Sequence, residues 1–212
     1  MMRRTGSTQI VWFAGQELRC HVRGNGPICI AHPSGPGRQV DSLRMPLVER
    51  ELTMVYLDPS GKADAVRDSV MSIGHLDAVA DHFADGSVFV LGHGSGGYAA
   101  QDFAVRRPSR VKGLILYATA ASADLLQSIT APTMVLSGAK DDEFGPAAAE
   151  RLHSAIPGSG MAVFEESGRY AHQDEADRFA HLVVEFSRRA ATGMWNSPSP
   201  RPGKTRNRDP WW

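Results

Sequence analysis

What the 212-residue sequence has little of narrows its class first. Lysine plus arginine and aspartate plus glutamate each total 23, so there is no charge excess of either sign. A nucleic-acid or membrane-surface partner would want a basic excess, and neither is expected. No apolar run reaches the roughly 18 residues of a membrane span. The opening Met-Met-Arg-Arg-Thr-Gly-Ser-Thr is basic with no apolar stretch behind it, so no secretory signal is expected. Cysteine is scarce: Cys20 and Cys29 are the only two, each in an expected strand and without metal or redox spacing. Reduced, buried, structural thiols fit them best, which suits a cytoplasmic protein. No internal repeat is present, and no histidine pair stands at metal-ligand spacing with a carboxylate, so no metal and no cofactor is implied.

What is present is an alternation of short apolar runs and helical periodicity. Ile10 to Phe13 and Leu18 to Arg23 flank Ala-Gly-Gln and read as an N-terminal hairpin. Apolar strands follow at Ile28 to Ala31, Thr53 to Leu57, Val88 to Leu91, Val111 to Tyr117, Thr133 to Ser137 and Met161 to Glu165. Between them, helical spacing runs over Asp41 to Glu51, Val70 to Phe83, the stretch to Arg107, Pro146 to Ala155 and Asp174 to Ala191. Such alternation predicts an α/β fold with a mostly parallel central sheet and helices on both faces. One domain over residues 1–192 is expected. From Gly193 the composition turns to Pro, Ser, Gly and Arg and ends in Trp211-Trp212, which predicts a flexible tail over 193–212.

The stretch that organises the chain is Val88-Phe-Val-Leu-Gly-His-Gly-Ser-Gly-Gly-Tyr-Ala-Ala-Gln101. A strand turning straight into a helix at small residues is the shape of the nucleophile elbow, G-x-S-x-G. Here the turn is Gly92-His93-Gly94-Ser95-Gly96, with a glycine at its centre. Four further motifs keep the order of a known family: His32-Pro-Ser-Gly-Pro-Gly, Asp58-Pro-Ser-Gly, Gly138-Ala-Lys-Asp141 and Ser167-Gly168-Arg169. Together they resemble an α/β-hydrolase, most similar to the proline iminopeptidase group, over roughly residues 10 to 189.

The resemblance implies three triad-equivalent positions: Gly94 for the nucleophile, Asp141 for the acid and Arg169 for the histidine. Glycine has nothing to attack with, and a guanidinium stays protonated and cannot be a general base. Ordinary serine hydrolysis by this constellation is not expected. The resemblance also implies a helical cap between the strands ending at Tyr117 and starting at Thr133. Only Ala118 to Ala131 stands there, so the expected fold is capless, and aminopeptidase specificity does not carry over.

Two readings of the site stay open. In the first, the protein is a pseudo-hydrolase or a repurposed one. The N–H groups of Ser95 and of Ser34 or Gly35, with Arg169, would hold a small ligand carrying a carboxylate or ester over Gly94. Set against this is a plain structural role, in which Arg169 pairs with Asp141 and closes the pocket, with Asp142 as a competitor. In the second, the protein is an active hydrolase of esters or small amides, working through Ser95 as a shifted nucleophile with His172 or His93 as base, or through a water held by Asp141. The simpler expectation for Ser95 is a helix cap. A role in protein association through the tail is a third possibility. His32 and His93 are expected to shape the loop and elbow; His75, His82, His153 and His181 are expected to be partly exposed.

Overall fold

The computed structural model describes residues 6–34, 38–58, 69–122 and 125–195. Eight strands form one sheet: β1 (Ser7–Phe13), β2 (Gln16–Gly24), β3 (Ile28–His32), β4 (Thr53–Asp58), β5 (Val88–His93), β6 (Val111–Tyr117), β7 (Thr133–Gly138) and β8 (Gly160–Phe164). Their spatial order is β1-β2-β4-β3-β5-β6-β7-β8. The hairpin β1–β2 and the β2–β4 pair are antiparallel, and every pair from β4 through β8 is parallel. The expected mostly parallel sheet with an N-terminal hairpin is therefore what forms.

Strand side chains alternate between two cores, because the strand repeat is two residues. Ile30, Val90, Leu114, Leu116 and Val135 pack with Leu76, Val79, Ala100, Phe103 and Leu152. These last five come from α2 (Ser69–Phe83), α3 (Gly96–Arg106) and α4 (Pro146–Ala155). On the other face, Ala31, Leu91, Ile115, Tyr117 and Leu136 pack with Val40, Phe179, Val183 and Phe186. These belong to α1 (Arg38–Ser42) and α6 (Ala176–Ala191), with the single turn α5 (Ala171–Asp174) leading into the latter. Strands buried on both faces lose the polar alternation of a one-sided sheet, which is why β5 reads as an unbroken apolar run.

Two expectations on local structure are corrected. The helix expected over Asp41 to Glu51 is instead α1, a short irregular stretch, and a 3-10 turn over Val48–Arg50. Pro46 is the cause, since it offers no N–H and biases Met45 away from helix. Tyr56 takes up the slack: its hydroxyl accepts from the Met45 N–H at 2.9 Å and donates to Glu49 at 3.0 Å. His75 is buried, not partly exposed, with its ring edge-on to Phe13. Beyond the expected boundary at residue 192 the chain still packs: Trp195 stands edge-on to Phe186 at 4.6 Å between ring centres and donates its Nε1–H to the Gly158 carbonyl at 3.0 Å. Residues 196–212, with the expected flexible segment and Trp211-Trp212, lie outside the described residues.

The connection between β6 and β7 is short, and the helical element among its described residues is a 3-10 turn at Leu126–Ser128. Gln101 on α3, fully buried, holds its first half down. The Gln101 Nε2 donates to the Ala120 carbonyl at 2.8 Å, and its Oε1 accepts from the Ser122 N–H and hydroxyl at 3.1 and 3.2 Å.

Candidate functional site

In a parallel sheet the loops at the carboxyl ends of the strands converge, and ligands bind there. At this edge stand Ser34 after β3, Gly94 and Ser95 after β5, Asp141 after β7, and Arg169 after β8. β5 lies between β3 and β6, with His32 registered on Gly92 and His93 on Tyr117. The elbow is thus at the centre of the edge.

Its shape follows from two glycines. Gly94 takes the left-handed conformation, φ +55, that a sharp strand-to-helix turn needs. Gly96 opens α3 against the preceding strand: a Cβ there would lie 2.2 Å from the His32 carbonyl oxygen. The turn is fastened by the Gly94 N–H to the Tyr117 carbonyl at 3.1 Å and by the Thr119 hydroxyl to the Gly94 carbonyl at 2.6 Å.

The space over Gly94 is not vacant. A Cβ on Gly94 would lie 1.9 Å from Ser34 Oγ and 3.2 Å from Arg169 Nη2. The Ser34 hydroxyl, half-buried, donates to the His93 carbonyl at 3.1 Å and stands 3.5 Å from His93 Nδ1. His93 Nε2–H donates to the Arg169 carbonyl at 3.2 Å, which leaves Nδ1 as the ring's lone-pair nitrogen. Burial pushes the His93 imidazole down to about 4, so it is neutral at physiological pH.

Arg169 does not pair with Asp141, as the plain structural reading expected, nor does Asp142 take it. Its Nη1 donates to Glu143 at 2.5 Å, and the guanidinium lies over the Phe144 ring, 4.8 Å from its centre. Its Nη2 faces Gly94. Asp141 Oδ1 instead accepts from the Glu143 and Phe144 N–H groups, both at 3.0 Å, in a tight turn. That turn presents the Glu143 carboxylate outward, where the guanidinium meets it. Asp141 Oδ2 is buried and has no hydrogen-bond partner.

Ser95 and His172 are not brought together. The Ser95 hydroxyl donates to the Ser34 carbonyl at 2.6 Å and does not cap α3, contrary to the expected cap. Both His172 nitrogens are engaged elsewhere: Nε2–H donates to the Ser42 carbonyl at 2.7 Å, and Nδ1 faces the Tyr117 hydroxyl at 3.0 Å. Burial lowers its pKa, outweighing the Ser42 carbonyl and Asp174, which raise it. His172 is therefore a neutral core group that ties α5 to the sheet and to α1. Among the described residues no acceptor meets the Ser95 N–H, which opens α3. Gly35 lies outside the described residues, so its N–H is not placed. Among the described residues no group of three or more His, Cys, Asp or Glu side chains could hold a metal ion, and no helix is long and apolar enough to cross a membrane.

The sequence pattern of the Ndr family matches residues 26–132, which is just over half of the chain. The chain belongs to the Ndr family. It is also similar to the 2-hydroxy-6-oxononadienedioate/2-hydroxy-6-oxononatrienedioate hydrolase of Klebsiella pneumoniae, 23% identical over 83% of this chain and 93% of that protein. That alignment spans 273 positions, more than this chain has, so many residues of the relative have no counterpart here. The proline iminopeptidase of Saccharolobus solfataricus is 36% identical over 29% of this chain and 19% of its own length. Among solved structures, a serine hydrolase of carbazole degradation superposes with a TM-score of 0.75 at 16% identity, covering 86% of this chain and 98% of that one. The proline iminopeptidase of Mycobacterium smegmatis gives 0.74 at 16% identity, covering 88% and 99%. The fold is that of the α/β-hydrolases.

One site feature had no sequence signal of its own. Ser34 was legible only as a backbone donor in the loop after β3; its hydroxyl reaches the apex because Gly94 leaves room for it.

Proposed function

We propose that this protein is a repurposed α/β-hydrolase that binds a small oxyanion-bearing ligand, a carboxylate or an ester, at its elbow. In this reading the family's triad positions do not carry out hydrolysis. The observation that carries it is the pairing of two donors over one glycine. Arg169 Nη2 points at the place where a Gly94 side chain would be, and the Ser95 N–H at the positive end of α3 is open beside it. Gly94 and Arg169 supply neither a nucleophile nor a base, and Asp141 Oδ2 has no imidazole to orient.

The ligand class finds support in the relatives. The Klebsiella pneumoniae hydrolase is named for dienedioate and trienedioate compounds, which carry two carboxylates. A structural neighbour, a meta-cleavage product hydrolase from Pseudomonas fluorescens with a serine changed to alanine, is described as complexed with acetates; it superposes with a TM-score of 0.75 at 17% identity. The small-molecule ligand assigned here needs no cofactor and no nucleic-acid or membrane partner.

Calorimetric titration with acetate and benzoate tests the reading. Saturable binding that is lost in Arg169→Ala is the expected result. Binding that is absent from the wild-type protein, or unaltered by Arg169→Ala, would overturn it.

A further inference from the structure

The hydroxyl that fills the space over Gly94 has a chemistry of its own. In an active elbow the nucleophile's oxygen sits one bond from a Cβ at the apex. Here Ser34 Oγ stands 1.9 Å from that Cβ position, delivered from the loop after β3 and not from the elbow itself. The groups that a nucleophile needs surround it. His93 Nδ1 is 3.5 Å away and carries the ring's lone pair, because Nε2–H is held by the Arg169 carbonyl at 3.2 Å. A nucleophile, a base, and a third group orienting the base is the arrangement that activates a serine. The Ser95 hydroxyl bond to the Ser34 carbonyl, 2.6 Å, fixes the Ser34 backbone against the elbow.

We propose that Ser34 is the reactive hydroxyl of this site, a nucleophile transposed from position 94, with His93 as its general base and the Ser95 N–H receiving the oxyanion of a small ester. The chemistry balances with the ester and water alone. Ser34 Oγ turns from the His93 carbonyl to Nδ1, gives its proton to that nitrogen and forms a bond to the acyl carbon. The bond from that carbon to the alkoxide breaks, and His93 returns the proton to the departing alcohol. Water then attacks the acyl-Ser34 with His93 again as base, which releases the acid and restores the hydroxyl. The Arg169 guanidinium adds its charge beside the oxyanion. The inference uses the pocket of the reading above but adds covalent chemistry to it.

His93 is packed between the Tyr117 and Tyr170 rings, with Arg169, His172 and Asp141 as the charged or titratable groups acting on it. Burial, Arg169 and His172 favour its neutral form, and only Asp141 and the Arg169 carbonyl oppose them. The base is thus unprotonated from mildly acidic to basic pH.

The test treats the full chain with a fluorophosphonate, whose phosphorus bonds to the serine oxygen as fluoride leaves, and locates the adduct by tandem mass spectrometry. An adduct on Ser34 that is lost in Ser34→Ala is expected, with a labelling rate flat between pH 5.5 and 8 because His93 titrates near 4. An adduct on Ser95, or none, overturns the proposal, and a rate that climbs through the ordinary histidine range removes His93 from the role. Mapping in the wild-type protein decides the matter even if Ser34→Ala does not fold. Carboxylate binding without an adduct would leave the anion-binding reading standing and remove only this one. An adduct on Ser34 without carboxylate binding would do the reverse.

Discussion

Ser34 Oγ lies 1.9 Å from the point where a Cβ on Gly94 would stand, so a side chain at position 94 and the Ser34 hydroxyl in its present rotamer exclude each other. Restoring a serine at the elbow is then more than filling a gap. Gly94→Ser must displace the Ser34 side chain and hold a non-glycine residue at φ +55. A loss of about 1–3 kcal/mol in urea denaturation is expected for the single variant. In a Ser34→Gly background the steric part should vanish, leaving the left-handed backbone cost of about 1 kcal/mol. A double-mutant cycle measures the difference, and equal losses in both backgrounds would mean that the two positions do not compete.

Asp141 supplies a second prediction. Its Oδ2 is buried without a partner while its Oδ1 is saturated by two N–H groups, so one oxygen is free to accept from an imidazole placed at position 169. Adding Gly94→Ser and Arg169→His to a Ser34→Gly protein should give turnover of p-nitrophenyl acetate above that of Ser34→Gly alone. That gain should fall by roughly two or more orders of magnitude on adding Asp141→Asn, which sets the wrong tautomer. Turnover indifferent to Asp141→Asn would show that residue 169 does not reach the acid.

The sheet and its elbow were legible because each rests on a local signal: the two-residue alternation of the hairpin, the unbroken apolar run of β5, and the small residues that α3 needs to start against His32. The side-chain pairings at the site were not. Arg169 was expected on Asp141 because the family's histidine goes there, and sequence order says nothing of the turn that saturates Asp141 Oδ1 and turns Glu143 outward. Ser95 at the first turn of a helix reads as a cap, yet its hydroxyl is drawn to the Ser34 carbonyl, which crosses from a loop more than sixty positions earlier in the chain. Pro46 was a legible helix breaker within Asp41 to Glu51, and its local restriction outweighs the apolar spacing of Leu43, Leu47 and Val48.

Gln101 carries a prediction about the connection between β6 and β7. Three hydrogen bonds from one buried amide hold the Ala120–Ser122 segment on α3. Gln101→Ala takes the partner from the half-buried Ala120 carbonyl and the exposed Ser122 N–H, which water can replace, so the loss is about 0.5–1.5 kcal/mol. Limited proteolysis should then cut first between Ala118 and Ala131. An unchanged cleavage pattern would show that the connection is held by the Leu126 and Ile129 contacts instead.

Acid should unfold this protein early, because histidines are buried in their neutral form at the sheet edge. His32 and His93 are pushed down to about 4, with burial the largest cause, and burial also lowers His75 and His172. In the unfolded chain each titrates near its ordinary value of about 6.5. Above that value neither state is protonated, and these groups do not make stability depend on pH. As pH falls below about 6.5, the unfolded chain takes up protons that the folded chain refuses, so stability drops until the folded groups titrate near 4. Each of His32 and His93 contributes on the order of 3 kcal/mol to that loss at most. Urea midpoints measured from pH 8 to 4.5 should be level down to about 6.5 and then fall steeply. Replacing His93 with Gln, which cannot take up a proton, should flatten the slope below pH 6.5 whatever it does to stability at pH 8. A midpoint that begins to fall only below pH 5 would place the acid sensitivity on carboxylates and not on these rings.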